Sequence, residues 1–264
     1  MNLYHYITLE AFVDAWNQKE ATTDITLSAF NLMYAVPEEE YMFGLNQLRK
    51  AIKRHEKINN IPLEKSKKDM PFFRDNSRTL VGHDLGMYIL SFYESRAIEE
   101  QVELSDEPLL AIEFDYNLLA EHCLSESMQL VRCKYDKEQV TNAFVSQLRT
   151  EYDKVFVDKE HTGFTADSQF FAMLCQAALE IKSSAFAAQK EWRLAAMKSA
   201  EDANYFYAGG ALLPYTPIAL PLACIKRITL LNYEEEPLVY GALEGLMKKI
   251  GLPPERFLTG RIEE

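Results

Sequence analysis

The feature that most restricts the fold of this chain is a succession of strand-like runs in its last third. Trp192 to Met197, Tyr205 to Tyr207, Tyr215 to Leu220 and Ile225 to Leu231 are rich in aromatic and β-branched residues, and no amphipathic helix separates them. Helices and strands are mixed earlier in the chain, but without regular βαβ alternation. This order argues for an α+β fold with a mostly antiparallel sheet, which could be split, carrying several packed helices. Pro214, Pro217 and Pro221 bound the third run and predict that it lies at a sheet edge, because proline donates no ladder hydrogen bond. No internal repeat or clear linker divides the 264 residues, so the expectation is one domain over 1–264.

Upstream, residues 3–7 alternate as a strand, and Thr8 reads as the cap of a helix to about Gln18, with Leu9, Phe12, Val13 and Trp16 at helical spacing. Ile25 to Ser28, Met87 to Tyr93, Leu109 to Phe114 and Met128 to Tyr135 read as strands. Pro37 opens a helix to about Ile58, Asp115 caps one through Cys123, and Asp136 with Gln139 starts one to about Asp158. A further helix is expected from Asp167. Pro237 begins the last helix, Gly251 closes it, and Phe257 to Ile262 forms a final strand. Residues 59–78 read as a charged loop or insertion.

The net charge of −12 opposes non-specific binding to nucleic acid or to an anionic membrane. It is uneven. Residues 49–78 hold ten Lys/Arg against four Asp/Glu, a local excess of six, which leaves −18 on the remainder. Lys50, Lys53, Arg54 and Lys57 share one side of the predicted helix, as a solvated face or as a patch for an anionic partner. Nearby Phe72 and Phe73 are not interleaved with the cations, so base stacking, and with it nucleic acid, is the less favoured use. Four dispersed cysteines without C-x-x-C fit reduced thiols in a cytoplasmic protein, and no signal peptide or membrane span is expected. The five histidines have no metal-ligand spacing, and no glycine-rich phosphate cradle or nucleophile elbow is present, so no metal is expected.

Three short segments carry chemically capable side chains. His5 sits mid-strand between Tyr4 and Tyr6. Its imidazole could orient a ligand hydroxyl or act as a base, or it could simply bond a neighbouring carbonyl in the core. Glu191 and Arg193, one pleat apart, point to one face while Trp192 packs on the other. Glu191 could accept from a sugar hydroxyl and Arg193 could grip a phosphate, or the two could form a salt bridge that fixes register. Ser91 and Tyr93 share a face at a strand end. This arrangement suits a flat ring substrate or is a routine strand-to-loop transition.

Several stretches in order resemble an uncharacterised bacterial family, domain of unknown function 2971. They are Leu3-Tyr4-His5-Tyr6 with Thr8 and Leu9, Phe30-Asn31 before Pro37-Glu38, Ser91-Phe92 with Glu94, Ala111 to Asp115, Lys190-Glu191-Trp192-Arg193, and Ile225 to Ile228. The chain departs from the pattern where Phe30-Asn31-Leu32-Met33 replaces an N-D-P triplet. It departs again at Ser95 to Pro108, which lacks a tryptophan-and-tyrosine segment. The order histidine, then hydroxyl or aromatic, then glutamate is also similar to that of ADP-ribosyltransferases, including the RNA 2′-phosphotransferase branch. That similarity implies NAD as substrate, with His5 on the adenosine-side ribose, Tyr93 or Ser91 near nicotinamide, and Glu191 on the nicotinamide ribose. The implied catalytic pair is His5 and Glu191, converging in one cleft, and the implied NAD contacts are His5, Thr8, Ser91, Tyr93 and Arg193. The alternative is a non-catalytic binding or regulatory module that keeps the scaffold, and the missing Trp/Tyr segment favours it.

Overall fold

The computed structural model describes residues 1–17, 23–35, 38–66, 85–94, 109–156, 179–208, 210–231 and 237–259. Among the described residues ten strands form one largely antiparallel sheet flanked by helices, an α+β fold. In chain order the main elements are β1 (Asn2–Thr8), α1 (Leu9–Asn17), β2 (Asp24–Asn31), α2 (Leu32–Ala35), α3 (Glu38–Ile58), β3 (Leu85–Tyr93) and β4 (Leu109–Asp115). They continue with α4 (Tyr116–Ser125), β5 (Gln129–Arg132), α5 (Lys137–Phe156), β6 (Glu191–Ser199), β7 (Asn204–Ala208) and β8 (Ala211–Pro221). The chain closes with β9 (Ile225–Leu230), α6 (Pro237–Lys249), α7 (Pro254–Phe257) and β10 (Leu258–Thr259).

The sheet divides at β3. Along one edge β3 pairs with β6 over its whole length, from Leu85↔Ser199 to Tyr93↔Glu191. Its other edge serves two strands: β2 takes Tyr88 and Ile89, and β1 takes Tyr93. One limb runs β1-β4-β9-β10 and the other β2-β8-β7. Leu90 to Phe92 lie between them, at the fork.

Two cores follow from the alternation of side chains. On one face Met87, Ile89 and Ala195 pack under α3 and α5, through Leu48, Ile52, Phe144, Leu148 and Tyr152. On the other, Leu3, Leu90, Phe92, Ile112, Phe114 and Leu194 meet Phe12 and Trp16 of α1, Leu119 of α4 and Met247 of α6.

Local signals hold where the sequence places them. The Ala11 amide donates to Thr8 Oγ1 at 3.2 Å. The Asn117 and Leu118 amides donate to Asp115 Oδ1, and the Gln139 amide donates to Asp136 Oδ1 at 2.7 Å. Gly251, at φ +79°, closes α6, and the Leu252 amide bonds back to Met247 O at 2.9 Å. Gly210, at φ +81°, turns β7 into β8.

The proline-rich run is an edge locally but not as a whole strand. β8 pairs with β7 from Ala211 to Tyr215 and with β2 from Tyr215 to Pro221, so most of the expected run has β2 alone beside it, while β7 ends the sheet order. The prolines are tolerated because each has one paired neighbour only. Pro214 opposes Tyr205 of β7, whereas Pro217 and Pro221 oppose Ser28 and Asp24 of β2. At each the strand has a free side, where a missing N–H breaks no ladder bond. Of the expected final strand, Phe257 ends α7, Leu258 and Thr259 form β10, and residues 260–262 lie outside the described residues. The loop expected over 59–78 is seen to residue 66, with a short 3₁₀ turn at Leu63–Lys65. Its remainder, the helix expected from Asp167 and the segment Ser95 to Pro108 lie outside the described residues.

Candidate functional site

Glu191 opens β6 directly after Lys190, which adopts the left-handed region at φ +46° and ends the preceding 3₁₀ turn. Cross-strand register places Glu191 against Tyr93 and Arg193 against Ser91, so the four side chains share a face. This face carries a closed ionic cluster. Arg193 Nε donates to Glu191 Oε1 at 2.7 Å, and Arg193 Nη2 pairs with Glu40 of α3. Lys182 Nζ pairs with Glu191 Oε2 and lies 3.7 Å from Glu40 Oε2. Ser91 Oγ donates to Glu191 Oε1 at 2.8 Å, and Arg193 Nη1 reaches Leu179 O at 3.3 Å. Tyr135 Oη accepts from the Glu191 amide at 2.8 Å.

Two carboxylates and two cations make the cluster formally neutral, and it is dry: Glu191 is 2% exposed and Arg193 1%. Burial alone would raise the Glu191 carboxyl. The charges and hydrogen bonds of Arg193 and Lys182 outweigh that effect and hold it below the usual carboxylate range. Burial, then the Glu191 charge, pushes the Tyr93 phenol well above its ordinary value. Tyr135 is raised to about 12, again chiefly by burial. Cys133, mostly desolvated beside the cluster, is raised to about 12 and stays a thiol.

His5 occupies the opposite face. Tyr4 opposes Tyr93, and Tyr93 opposes Glu191, so these three point one way, with Tyr6 beside Tyr93 at a ring separation of 5.8 Å. His5 is the next residue along β1 and points the other way, where its ring meets Phe92 at 5.5 Å. Its Nδ1 is 2.9 Å from Ser91 O. A carbonyl only accepts, so Nδ1 carries the proton and donates. That carbonyl lies at the fork, where β3 has neither β1 nor β2 as ladder partner, and the imidazole satisfies it. Burial lowers the His5 pKa, and the hydrogen bond to Ser91 offsets this only in part, so the ring is held neutral.

The structure therefore brings together Ser91, Tyr93, Glu191 and Arg193 but not His5 with Glu191. The expected cleft shared by an imidazole and a carboxylate is replaced by two groups back to back across one sheet. Thr8 caps α1 at the far end of β1. Sequence reading missed Glu40 and Lys182, the two partners that complete the cluster. Glu40 had a visible signal: with Gly44, Gln47, Leu48, Ala51 and Ile52 it continues the buried stripe of α3. Lys182 had none, because its position depends on the parallel bridge of Ile181 to Lys134.

A second charged region lies on the same helix. Between α3 and the start of α5 is a groove of about 600 Å³, lined by Phe43, Gln47, Arg49, Lys50, Lys53 and Lys137. Among the described residues no group of His, Cys, Asp and Glu is placed to hold a metal ion, and no helix is long and apolar enough to cross a membrane. Comparison with known protein families, curated proteins and solved structures finds no match to this chain.

Proposed function

We propose that this chain is a non-catalytic binding module in which Glu191 and Arg193 hold the scaffold together. The observation that supports this most directly is the state of the Glu191 carboxylate. Lys182, Arg193 and Ser91 occupy both of its oxygens, in a dry site on the face opposite His5. A glutamate that grips a ribose hydroxyl needs a free oxygen at an open surface. Displacing a buried cation from its partner costs several kcal/mol, roughly 3–5, which a weakly bound sugar does not supply. The departures from the family pattern at residues 30–33 and 95–108 point the same way.

ADP-ribosyl transfer is the second reading. It is favoured by the meeting of Ser91, Tyr93 and Glu191 at one end of the β3–β6 ladder, in the residue types that chemistry uses. It requires Lys182 to withdraw from Glu191 and a different group to take the part given to His5. Incubation of the full chain with NAD, followed by chromatography for nicotinamide, separates the two readings. The module releases none above buffer. Sustained release, inhibited by added nicotinamide, overturns it in favour of the transferase.

A further inference from the structure

We infer that the groove between α3 and the first turn of α5 binds a small phosphorylated ligand carrying two or three phosphates and an organic part with an O–H or N–H donor. This rests on the binding-module reading and supplies its ligand class. NAD turnover tests that reading, and ligand binding tests this one.

The charge on the groove is the first argument. Arg49, Lys50, Lys53 and Lys137 line it, and no carboxylate does. Among the described residues neither Lys50 nor Lys53 has an ion-pair partner. The carboxylates at the start of α5 are occupied: Asp136 caps the helix through the Gln139 amide, and Glu138 faces Arg54 at 3.4 Å. Lys50 and Lys53, with no counter-charge among the described residues, repel one another, and a bound anion relieves the repulsion. Lys50, Lys53 and Lys137 together exceed what one phosphate neutralises and match a di- or triphosphate. Lys50 and Lys53 stand about one turn apart on α3, roughly 5 Å along the axis, a spacing suited to successive groups of a phosphate chain. The start of α5 adds the positive end of a 20-residue helix.

The inner wall gives the second argument. Gln47 lines the groove although it is 2% exposed, and its Oε1 is buried without a hydrogen-bond partner. An empty buried acceptor is costly, about 1–3 kcal/mol. The terminal amide torsion is soft, so a small turn carries this oxygen to a donor seated on the groove floor. A phosphate ester above its second pKa, about 6, offers no such donor, whereas a sugar hydroxyl or a base amine does. Beside it, the Phe43 ring has Lys137 Nζ 5.4 Å from its centroid, so one cation is already held over the groove.

Size favours a small ligand over a long polyanion. About 600 Å³ is the range of small-molecule sites.

The test is calorimetric titration of the full chain with ADP, pyrophosphate and a single-stranded oligonucleotide. The variants are K50Q/K53Q/K137Q, its rescue form K50R/K53R/K137R, and the control K248Q/K249Q on α6. ADP should bind more tightly than pyrophosphate. Its affinity should fall at least about tenfold in K50Q/K53Q/K137Q, and should be retained in the arginine form and the control. Thermal melts of each variant establish that the fold persists. Four results overturn the inference: no binding of ADP to the wild type, an undiminished affinity in K50Q/K53Q/K137Q, pyrophosphate as tight as ADP, or an oligonucleotide tighter than ADP with a steep salt dependence.

Discussion

Helix α3 carries charge at two places, and the two behave in opposite ways. Near its start Glu40 is 5% exposed and locked to Arg193 and Lys182. Two to four turns later Lys50 and Lys53 stand in the open with no counter-charge among the described residues. The first set gains its attraction where water is excluded, and each member is held by the cost of stranding the others. The second set has its desolvation still ahead of it and is available to an incoming anion. Ionisable residues on one helix thus serve the fold when their charges cancel locally, and serve recognition when they do not.

Breaking the buried set gives the largest effect. Arg193→Met leaves Glu191 and Glu40 short of a cation in the dry interior and should destabilise the chain by about 3–5 kcal/mol in urea titration. A loss within experimental error would show that the cluster opens to water.

Next is the donor at the fork. His5→Leu leaves Ser91 O without a partner and should cost about 1–3 kcal/mol, whereas His5→Asn, which keeps an N–H near the position of Nδ1, should cost less. Equal losses would mean that ring packing on Phe92, not the hydrogen bond, is what matters.

Acid sharpens the comparison further. Glu191 has a folded pKa below its unfolded value of about 4.3, so the unfolded chain binds more protons there. Its contribution is complete above that value and is lost as pH falls below it. His5, also lowered, contributes fully above about pH 6.5 and loses its contribution as pH drops below that value. Stability curves should therefore fall in two windows. The upper window should be missing in His5→Asn, and the lower reduced in Glu191→Gln.

The smallest effect belongs to the open set. Lys50→Gln with Lys53→Gln should change stability by no more than about 0.5 kcal/mol. A larger loss would place these lysines in the structural set and remove the contrast.

Caps and strands within one stretch of chain were legible because their causes are local: Thr8 needs only Ala11, and Asp136 only Gln139. The α+β class followed from the run of strands after residue 190. Register was not legible. That His5 and Glu191 face apart depends on Tyr4 opposing Tyr93 and Tyr93 opposing Glu191, two pairings made across long stretches of chain. The same holds for Glu40 and Arg193, which meet across 153 positions. Pro214, Pro217 and Pro221 marked places with one unpaired side, but not which strand ends the sheet: proline requires one free side locally, not a free strand.

Strand β3 has a consequence for how the molecule breathes. It is the only described strand flanked by three others, whereas β5, β7 and β10 each have one neighbour. In heavy water the outlying strands can detach singly and trade their amide hydrogens early. The hydrogens of β3 that face β6 are released only when that nine-residue ladder opens, so they are expected to exchange later than those of the outlying strands.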